Sequence, residues 1–169
     1  MEHRSQGIQS ASPRIRPVES CHIADLIWIG EVTNLSPWSA QNYIDEMKNS
    51  DSELLRLESP ESTTIGFLVG RFVTAAHDEA RTDAEIYNIA VIEHEQRRGY
   101  GQLLFDEFTR LCRQREAANI WLEVRESNQK AIDFYRRNGF ELVQTRPHFY
   151  NSPREHALLM KLSLKKRKA

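Results

Sequence analysis

Two apolar patterns are interleaved along the chain, and together they limit the folds it can adopt. Some runs are short and β-like, whereas others space their apolar residues three and four apart, as helices do. The β-like runs cover residues 15–18, 53–58, 64–73, 85–92, 120–125, 141–145 and 157–164. The helix-like runs cover residues 21–31, 40–47, 103–115 and 128–138. This interleaving, with a β-rich end, predicts an α/β (α+β) domain with a mixed central β-sheet and helices on both faces.

Two of the β-like runs carry further information. Residues 85–92 are strongly apolar, which predicts a central position in the sheet. Residues 120–125 alternate, so that Ile120, Leu122 and Val124 share one face and the residues between them share the other. After this run, Ser127 or Asn128 is a good N-cap for a helix, and Gly139 is a good residue to end it.

Charge and composition exclude several classes of partner. The 169 residues include 24 acidic and 23 basic side chains, and a net charge of −1 gives no sign of nucleic-acid binding. No apolar run approaches the roughly 20 residues of a membrane helix, and the first residues lack the apolar centre of a secretory signal. We expect one cytoplasmic domain over residues 14–164, between a flexible extension (1–13) and a basic tail (165–169). We expect no membrane partner and no direct nucleic-acid binding. For the basic tail, we favour a solvated end over weak attraction to RNA.

Cysteine and histidine give no sign of a disulfide framework or a metal site. Cys21 and Cys112 are far apart, and we expect two small buried thiols in a reducing compartment. Cys112 lies on the apolar face of its helix-like run, which favours a place in the core over covalent catalysis. The chain has no Cys-x-x-Cys, and the histidines lack ligand spacing, so we expect no metal. The histidines considered are His22, His77, His94, His148 and His156.

A glycine-rich stretch, Gln96-Arg97-Arg98-Gly99-Tyr100-Gly101, stands between a β-like run and a helix-like run. A Walker-type loop would need Gly-Lys-Ser/Thr, but Gly101 is followed by Gln102 and two leucines. A dinucleotide-binding turn would need a third glycine where Leu104 stands. Glycines at a helix start leave backbone N–H groups open to an anion, and Arg97 and Arg98 add charge. From these residues alone, an anion site and a plain helix start with solvated arginines remain equally open.

The wider sequence resembles the GNAT superfamily of N-acetyltransferases, whose acetyl-CoA loop reads Gln/Arg-x-x-Gly-x-Gly/Ala. Within it, the chain looks most like the bacterial RimI type, the ribosomal-protein alanine N-acetyltransferases. The stretches that carry this resemblance are Pro37–Ser39, Asn88–Val91, Gln96–Gly101, Trp121–Asn128 and Ala131–Phe140, with a looser match at Arg146–Tyr150. The resemblance implies that acetyl-CoA binds at the loop and Gln102. It also implies that the backbone of Ile89, Ala90 and Val91 holds the pantetheine arm.

Transfer of an acetyl group to an amine needs a proton acceptor and a proton donor. A free α-amine has a pKa of about 8 and must lose a proton before it attacks, while a thiolate with a pKa of about 8.5 gains from a donor. Glu123 is unusual for a mid-strand residue, although a solvent-facing position would also explain it. Tyr135 sits at helical spacing among apolar residues and could be an ordinary core aromatic. The resemblance implies that Glu123 is the general base, that Tyr135 protonates the leaving thiolate, and that Asn128 bonds the pantetheine arm or caps the helix.

The substrate predictions depend mostly on the resemblance, which implies the N-terminal alanine of a small-subunit ribosomal protein. Trp38, Phe149 and Tyr150 are candidate walls for a peptide terminus, and Glu31 a candidate to read the amine or the second residue. Local packing explains each of these residues equally well. Two alternatives stay open: acetylation of another amine (a lysine side chain, a polyamine or an aminoglycoside), and a non-catalytic acetyl-CoA-binding module.

Overall fold

The computed structural model describes residues 12–76 and 78–164. Most of the expected N-terminal extension (1–11), His77 and the basic tail lie outside the described residues. The strands are β1 (Arg14–Pro17), β2 (Ser52–Glu58), β3 (Thr64–Ala75), β4 (Asp78–Val91), β5 (Asn119–Arg125), β6 (Glu141–Asn151) and β7 (Arg154–Ser163). The helices are α1 (Ile23–Val32), α2 (Ala40–Lys48), α3 (Tyr100–Gln114) and α4 (Gln129–Arg137), with 3-10 turns at Ser20–His22 and Glu93–Glu95.

The strands form one seven-stranded sheet in the order β1-β2-β3-β4-β5-β7-β6. Every neighbouring pair is antiparallel except β4 and β5, which run parallel. The predicted mixed sheet is confirmed, and β4 occupies its centre as its apolar sequence indicates. The parallel contact is short, extending from the pair Ala84–Ile120 to the pair Ile86–Leu122. Beyond it the two strands are no longer paired, and a gap opens in the middle of the sheet.

Helices cover both faces of the sheet. On one face, the Tyr43 ring of α2 stands edge-on to Phe67 of β3, with centroids 6.1 Å apart. On the other face, Phe108 of α3 lies 6.1 Å from Phe72 and directly over Gly70. A Cβ on Gly70 would overlap the Phe108 ring, so the absence of a side chain there lets α3 approach β3.

The helix ends follow the predicted capping chemistry. The Ser39 hydroxyl accepts a hydrogen bond from the Asn42 backbone N–H at 3.3 Å and begins α2. The Asn128 carboxamide oxygen accepts from the Ala131 N–H at 3.2 Å and begins α4. Gly139 follows α4 with φ of 90°, the left-handed conformation that favours glycine. Of the two residues offered as the N-cap of α4, Asn128 takes the position.

β4 and β6 exceed the lengths that the sequence pattern predicts by the most. β4 begins at Asp78 rather than at residue 85, because its polar first half pairs with the end of β3 in a long hairpin. β6 continues to Asn151 rather than ending at residue 145, and nearly all of its side chains are exposed. Backbone pairing with a neighbouring strand sets these lengths, and a polar side-chain pattern does not reveal it.

The two cysteines differ in their environments. Cys112 lies fully buried in α3, as its helical position indicates. Cys21 is exposed in the 3-10 turn before α1, so the expectation of a second buried thiol is wrong. The turn places its side chains outside the core that the apolar residues of α1 enter. None of the helices in the described ranges is long and apolar enough to cross a membrane.

Candidate active site

The gap between β4 and β5 leads into a cavity of about 720 Å³ on the α2 side of the sheet. Its lining brings together four of the residues predicted from sequence, which come from a loop, a strand and a hairpin far apart in the chain: Trp38, Glu123, Phe149 and Tyr150. The structure also adds residues that the sequence reasoning did not single out: Glu85, Tyr87, Trp121 and Arg146. Glu85 and Arg146 affect the charge of Glu123, the candidate base. Tyr87 adds a phenol to the cavity wall.

A bulge in β4 shapes one wall of this cavity. Val69 pairs with Asn88 and Gly70 pairs with Ile86, so Tyr87 is the extra residue of the bulge. The Tyr87 ring lies 6.0 Å from Trp38, and the Arg71 guanidinium stands 5.4 Å from its centroid. Burial, followed by the neighbouring Glu85, raises the pKa of Tyr87 to about 12. The bulge therefore presents an un-ionised phenol beside the gap.

Glu123 is a partly buried carboxylate on β5. Its side chain is 25% exposed and forms an ion pair with the Arg146 guanidinium of β6. Desolvation raises the pKa of Glu123, the positive charge of Arg146 opposes this rise, and Glu85 adds to it. The predicted alternation is confirmed, since Glu123 lies on the face opposite the buried Ile120, Leu122 and Val124. A carboxylate with a raised pKa on a cavity wall is suited to accept a proton.

The hairpin of β6 and β7 is tied to β5 by Arg125. The Arg125 guanidinium lies 4.0 Å from the Tyr150 ring centroid and forms an ion pair with Glu155 at 2.8 Å. The other Glu155 oxygen accepts from the Ser127 backbone N–H at 3.3 Å. Desolvation, followed by Glu123, raises the pKa of Tyr150. Arg125 therefore fixes the wall that Tyr150 forms, which gives a physical role to the arginine of the Trp121–Asn128 stretch.

Tyr135 lies on α4 and is not among the described residues that line the cavity. It is 7% exposed, and its ring packs 5.5 Å from Phe134 and 5.4 Å from Phe140. Burial, with a smaller contribution from Tyr150, raises the pKa of Tyr135 and keeps the phenol protonated. The structure thus contains the core packing that the helical spacing predicts. The role of Tyr135 as a proton donor stays a prediction.

The glycine-rich loop connects the end of β4 to α3. Gly99 is the N-cap of α3 with φ of 82°, and it has no side chain to cap the first turn. The Gln96 amide donates to the Val91 carbonyl at 2.8 Å, which secures the loop to β4. Arg98 pairs with Glu95 at 3.2 Å, and Arg97 has a left-handed φ of 63°. The helix start therefore presents backbone N–H groups and positive charge to an anion.

The free side of β4 lies between this loop and the cavity. From Asn88 to Val91 the strand pairs with β3, and none of the described strands pairs with its other side. Ile89, Ala90 and Val91 belong to this segment, so its free side faces the gap, although the Val91 carbonyl accepts from Gln96. An extended chain ending in a pyrophosphate, such as acetyl-CoA, matches a free strand edge followed by an uncapped helix start.

Two other predicted residues have clear structural contacts, whereas a third lies outside the cavity lining. The side-chain oxygen of Asn128 caps α4. The side-chain amides of Gln102 on α3 and Asn138 after α4 bond each other: Gln102 donates at 2.7 Å and Asn138 donates in return at 3.1 Å. Glu31 is exposed near the end of α1 and is not among the described residues that line the cavity.

The described part of the chain contains no cluster of three or more His, Cys, Asp or Glu side chains placed to hold a metal ion.

Comparison with known proteins identifies the class. The sequence model of the acetyltransferase (GNAT) family matches residues 23–140. The chain belongs to this family and is an acyl-transferring enzyme, which confirms the predicted family and fold. A [ribosomal protein bS18]-alanine N-acetyltransferase of Haemophilus influenzae is 31% identical over 151 residues, 86% of this chain and 95% of the relative. This relative confirms the resemblance to the ribosomal-protein alanine N-acetyltransferases.

Two solved structures share the fold closely. The ribosomal-protein-S18-alanine N-acetyltransferase from Escherichia coli superposes with a TM-score of 0.77 at 25% identity, covering 93% of this chain and 98% of that one. Ard1 from Thermoplasma volcanium superposes with a TM-score of 0.82 at 26% identity, covering 92% and 100%. Structures of the same fold at 19% identity hold acetyl-CoA or a bisubstrate analogue.

Proposed function

We propose that this enzyme transfers the acetyl group of acetyl-CoA to the α-amine of a protein N-terminus, in a ternary complex. The N-terminal alanine of ribosomal protein bS18 is the first candidate, because the relatives carry that name. The observation that carries the proposal is the position of Glu123, a partly buried carboxylate on the cavity wall beside the free edge of β4. We also propose a cytoplasmic location, since the candidate substrate is a ribosomal protein.

The cofactor site consists of the free edge of β4 and the start of α3. The backbone of Ile89, Ala90 and Val91 holds an extended pantetheine arm, and the loop Gln96–Gly101 with the Gln102 backbone holds the pyrophosphate. We expect Asn128 to bond the arm as well, in addition to its capping bond at the start of α4. Acetyl-CoA supplies an activated acyl group, and no metal is required for this chemistry.

Glu123 and Tyr135 divide the proton transfers. Glu123 accepts the proton that an α-ammonium must lose before its nitrogen can attack. Tyr135 holds a proton on its phenol oxygen, available to the sulfur that departs as the C–N bond forms and the C–S bond breaks. Positioning of two bound substrates supplies much of the rate, without a covalent enzyme intermediate.

The cavity walls suit a peptide terminus. Trp38 and the pair Phe149 and Tyr150 stand on different elements around the cavity that contains Glu123. Aromatic walls with a few polar groups bind a short peptide segment and orient its amine. Contact between Glu31 and the amine or second residue stays a prediction without support from the cavity lining.

The test uses acetyl-CoA and a panel of amines, with products read by intact mass. The panel holds bS18, a peptide with its first residues, the same peptide blocked at its N-terminus but carrying lysine, and a polyamine. The proposal expects one acetyl group on bS18 and on the free-terminus peptide only. Modification of the blocked peptide or polyamine would favour a different amine, and no product from any acceptor would favour a binding module.

A further inference from the structure

An ion pair reaches across a whole strand at the cavity wall. Arg146 is on β6 and Glu123 is on β5, and β7 lies between these two strands. In register, Leu159 of β7 pairs with Glu123, and Ala157 pairs with Arg146. β5 and β6 are two strand spacings apart, about 10 Å. The Arg146 side chain therefore crosses β7 to reach the Glu123 carboxylate. The small side chain of Ala157 leaves room for this reach.

Arg146 is held at the cavity rather than free in solvent. Its guanidinium carbon lies 5.8 Å from the Phe149 ring centroid, and its side chain is 44% exposed. Arg146 and Phe149 both line the cavity and stand three positions apart in the sequence, with Pro147 and His148 between them. The arginine therefore contacts the candidate base and a candidate substrate wall at the same time.

The other groups that face Glu123 do not favour its charge. Glu85 of β4, a second carboxylate, raises the pKa of Glu123, and so does burial. Tyr150 of β6 is a neutral phenol, and Glu123 raises its pKa. Arg125 of β5 contacts the Tyr150 ring and forms its ion pair with Glu155. Arg146 is the cation that opposes these effects at Glu123. Without it, a partly buried carboxylate beside another carboxylate would hold its proton more tightly.

We propose that Arg146 is a positioning residue whose guanidinium keeps the Glu123 carboxylate ionised and turned into the cavity, ready to accept a proton from an amine. The same positive charge disfavours an ammonium beside Glu123 and favours the neutral amine that attacks. This inference depends on the proposed function for its catalytic meaning. Its electrostatic claim concerns Glu123 alone and can be measured without substrate.

The first experiment titrates the Glu123 side-chain carboxyl by ¹³C NMR in the full-length protein, with the signal assigned by its loss in Glu123→Gln. In Arg146→Gln, the midpoint is expected to rise by about one pH unit. Arg146→Lys keeps the charge and should restore part of the shift. Arg154→Gln removes an exposed arginine from the same hairpin and should leave the midpoint unchanged. Identical midpoints in wild type and Arg146→Gln, or equal shifts in Arg146→Gln and Arg154→Gln, would overturn the inference.

The second experiment measures kcat against pH on the free-terminus peptide. The acid limb of Arg146→Gln should move to higher pH by the shift found in the titration, with partial rescue in Arg146→Lys. A uniform loss at every pH would indicate a merely structural role and contradict the inference. If wild type acetylates no amine, the proposed function fails, while the titration still decides the electrostatic claim about Arg146.

Discussion

At the scale of single residues, Glu123 and Tyr135 occupy different environments that suit opposite tasks. Glu123 is open to the cavity and paired with a cation, so its charge is accessible. Tyr135 is enclosed by aromatic rings, where a phenolate would be poorly solvated. Burial raises the pKa of both groups, which favours the proton-bearing form in each. Only Glu123 has a neighbouring guanidinium to offset that effect.

Replacing Glu123 with Gln should lower kcat about a hundredfold near neutral pH, since the isosteric amide cannot accept a proton. The deficit should shrink at alkaline pH, because an α-amine with a pKa of about 8 then loses its proton to solvent. Steady-state kinetics across the pH range measure both effects. Glu107→Gln, which removes a partly buried carboxylate paired with Arg110, is the matched control. Equal kcat for Glu123→Gln and wild type at neutral pH would rule Glu123 out as the base.

Replacing Tyr135 with Phe should also lower kcat by about a hundredfold, while the dissociation constant for acetyl-CoA stays close to that of wild type. The substitution removes one hydroxyl and keeps the ring packed against Phe134 and Phe140. Calorimetric binding and turnover assays separate the two quantities. Tyr43→Phe is the control, since Tyr43 is likewise a buried tyrosine whose pKa burial raises to about 12. Undiminished turnover in Tyr135→Phe would leave only its packing role.

At the scale of elements, the site depends on how two strands part and how closely one helix approaches the sheet. β4 and β5 pair over three residues each and then separate, which creates the free edge and the cavity together. Helix α3 begins at the uncapped Gly99 and lies against β3 through Phe108. The position of the loop therefore depends on the packing of α3.

A matched pair of glycine substitutions tests that packing. Gly70→Ala should lower the free energy of unfolding by about 1–3 kcal/mol, because the new methyl overlaps the buried Phe108 ring. Gly30→Ala, in α1, should raise it by up to about 1 kcal/mol, since a Cβ there meets no atom within 4 Å and alanine favours the helix. Urea denaturation measures both changes. Equal stability of the two variants would contradict the close approach at Gly70.

At the scale of the whole molecule, the two thiols report on global unfolding. Cys21 is exposed and should react with a thiol reagent such as DTNB in the folded state. Cys112 is fully buried, and desolvation, helped by Glu53, raises its pKa to about 12. Its labelling requires opening of the core and should be at least about a thousandfold slower in native buffer.

Labelling with and without guanidinium, followed by intact mass, distinguishes the two thiols. One adduct is expected in native buffer and two after unfolding. Cys21→Ser should remove the fast adduct and leave the slow one. Two fast adducts in native buffer would show that α3 is not packed against the sheet as described.

Much of the fold and part of the site follow from the sequence because they depend on local chemistry. Apolar spacing predicts the helices, Ser39 and Asn128 cap two of them, and alternation in β5 predicts the outward face of Glu123. The exposure of Cys21 and the full lengths of β4 and β6 do not follow. They depend on which chain segment lies beside them, and a neighbour distant in sequence leaves no periodic signal.

The family, the mixed sheet and the glycine-rich helix start can all be inferred from the sequence, because motifs and periodicities act over a few residues. The surroundings of the reactive groups are set instead by how the chain folds in space. The tertiary structure placed Arg146 on Glu123 across β7, stacked Arg125 on Tyr150, and left Glu31 outside the cavity lining. Charge and desolvation depend on distances in space, and those distances exist only once the strands have found their order in the sheet.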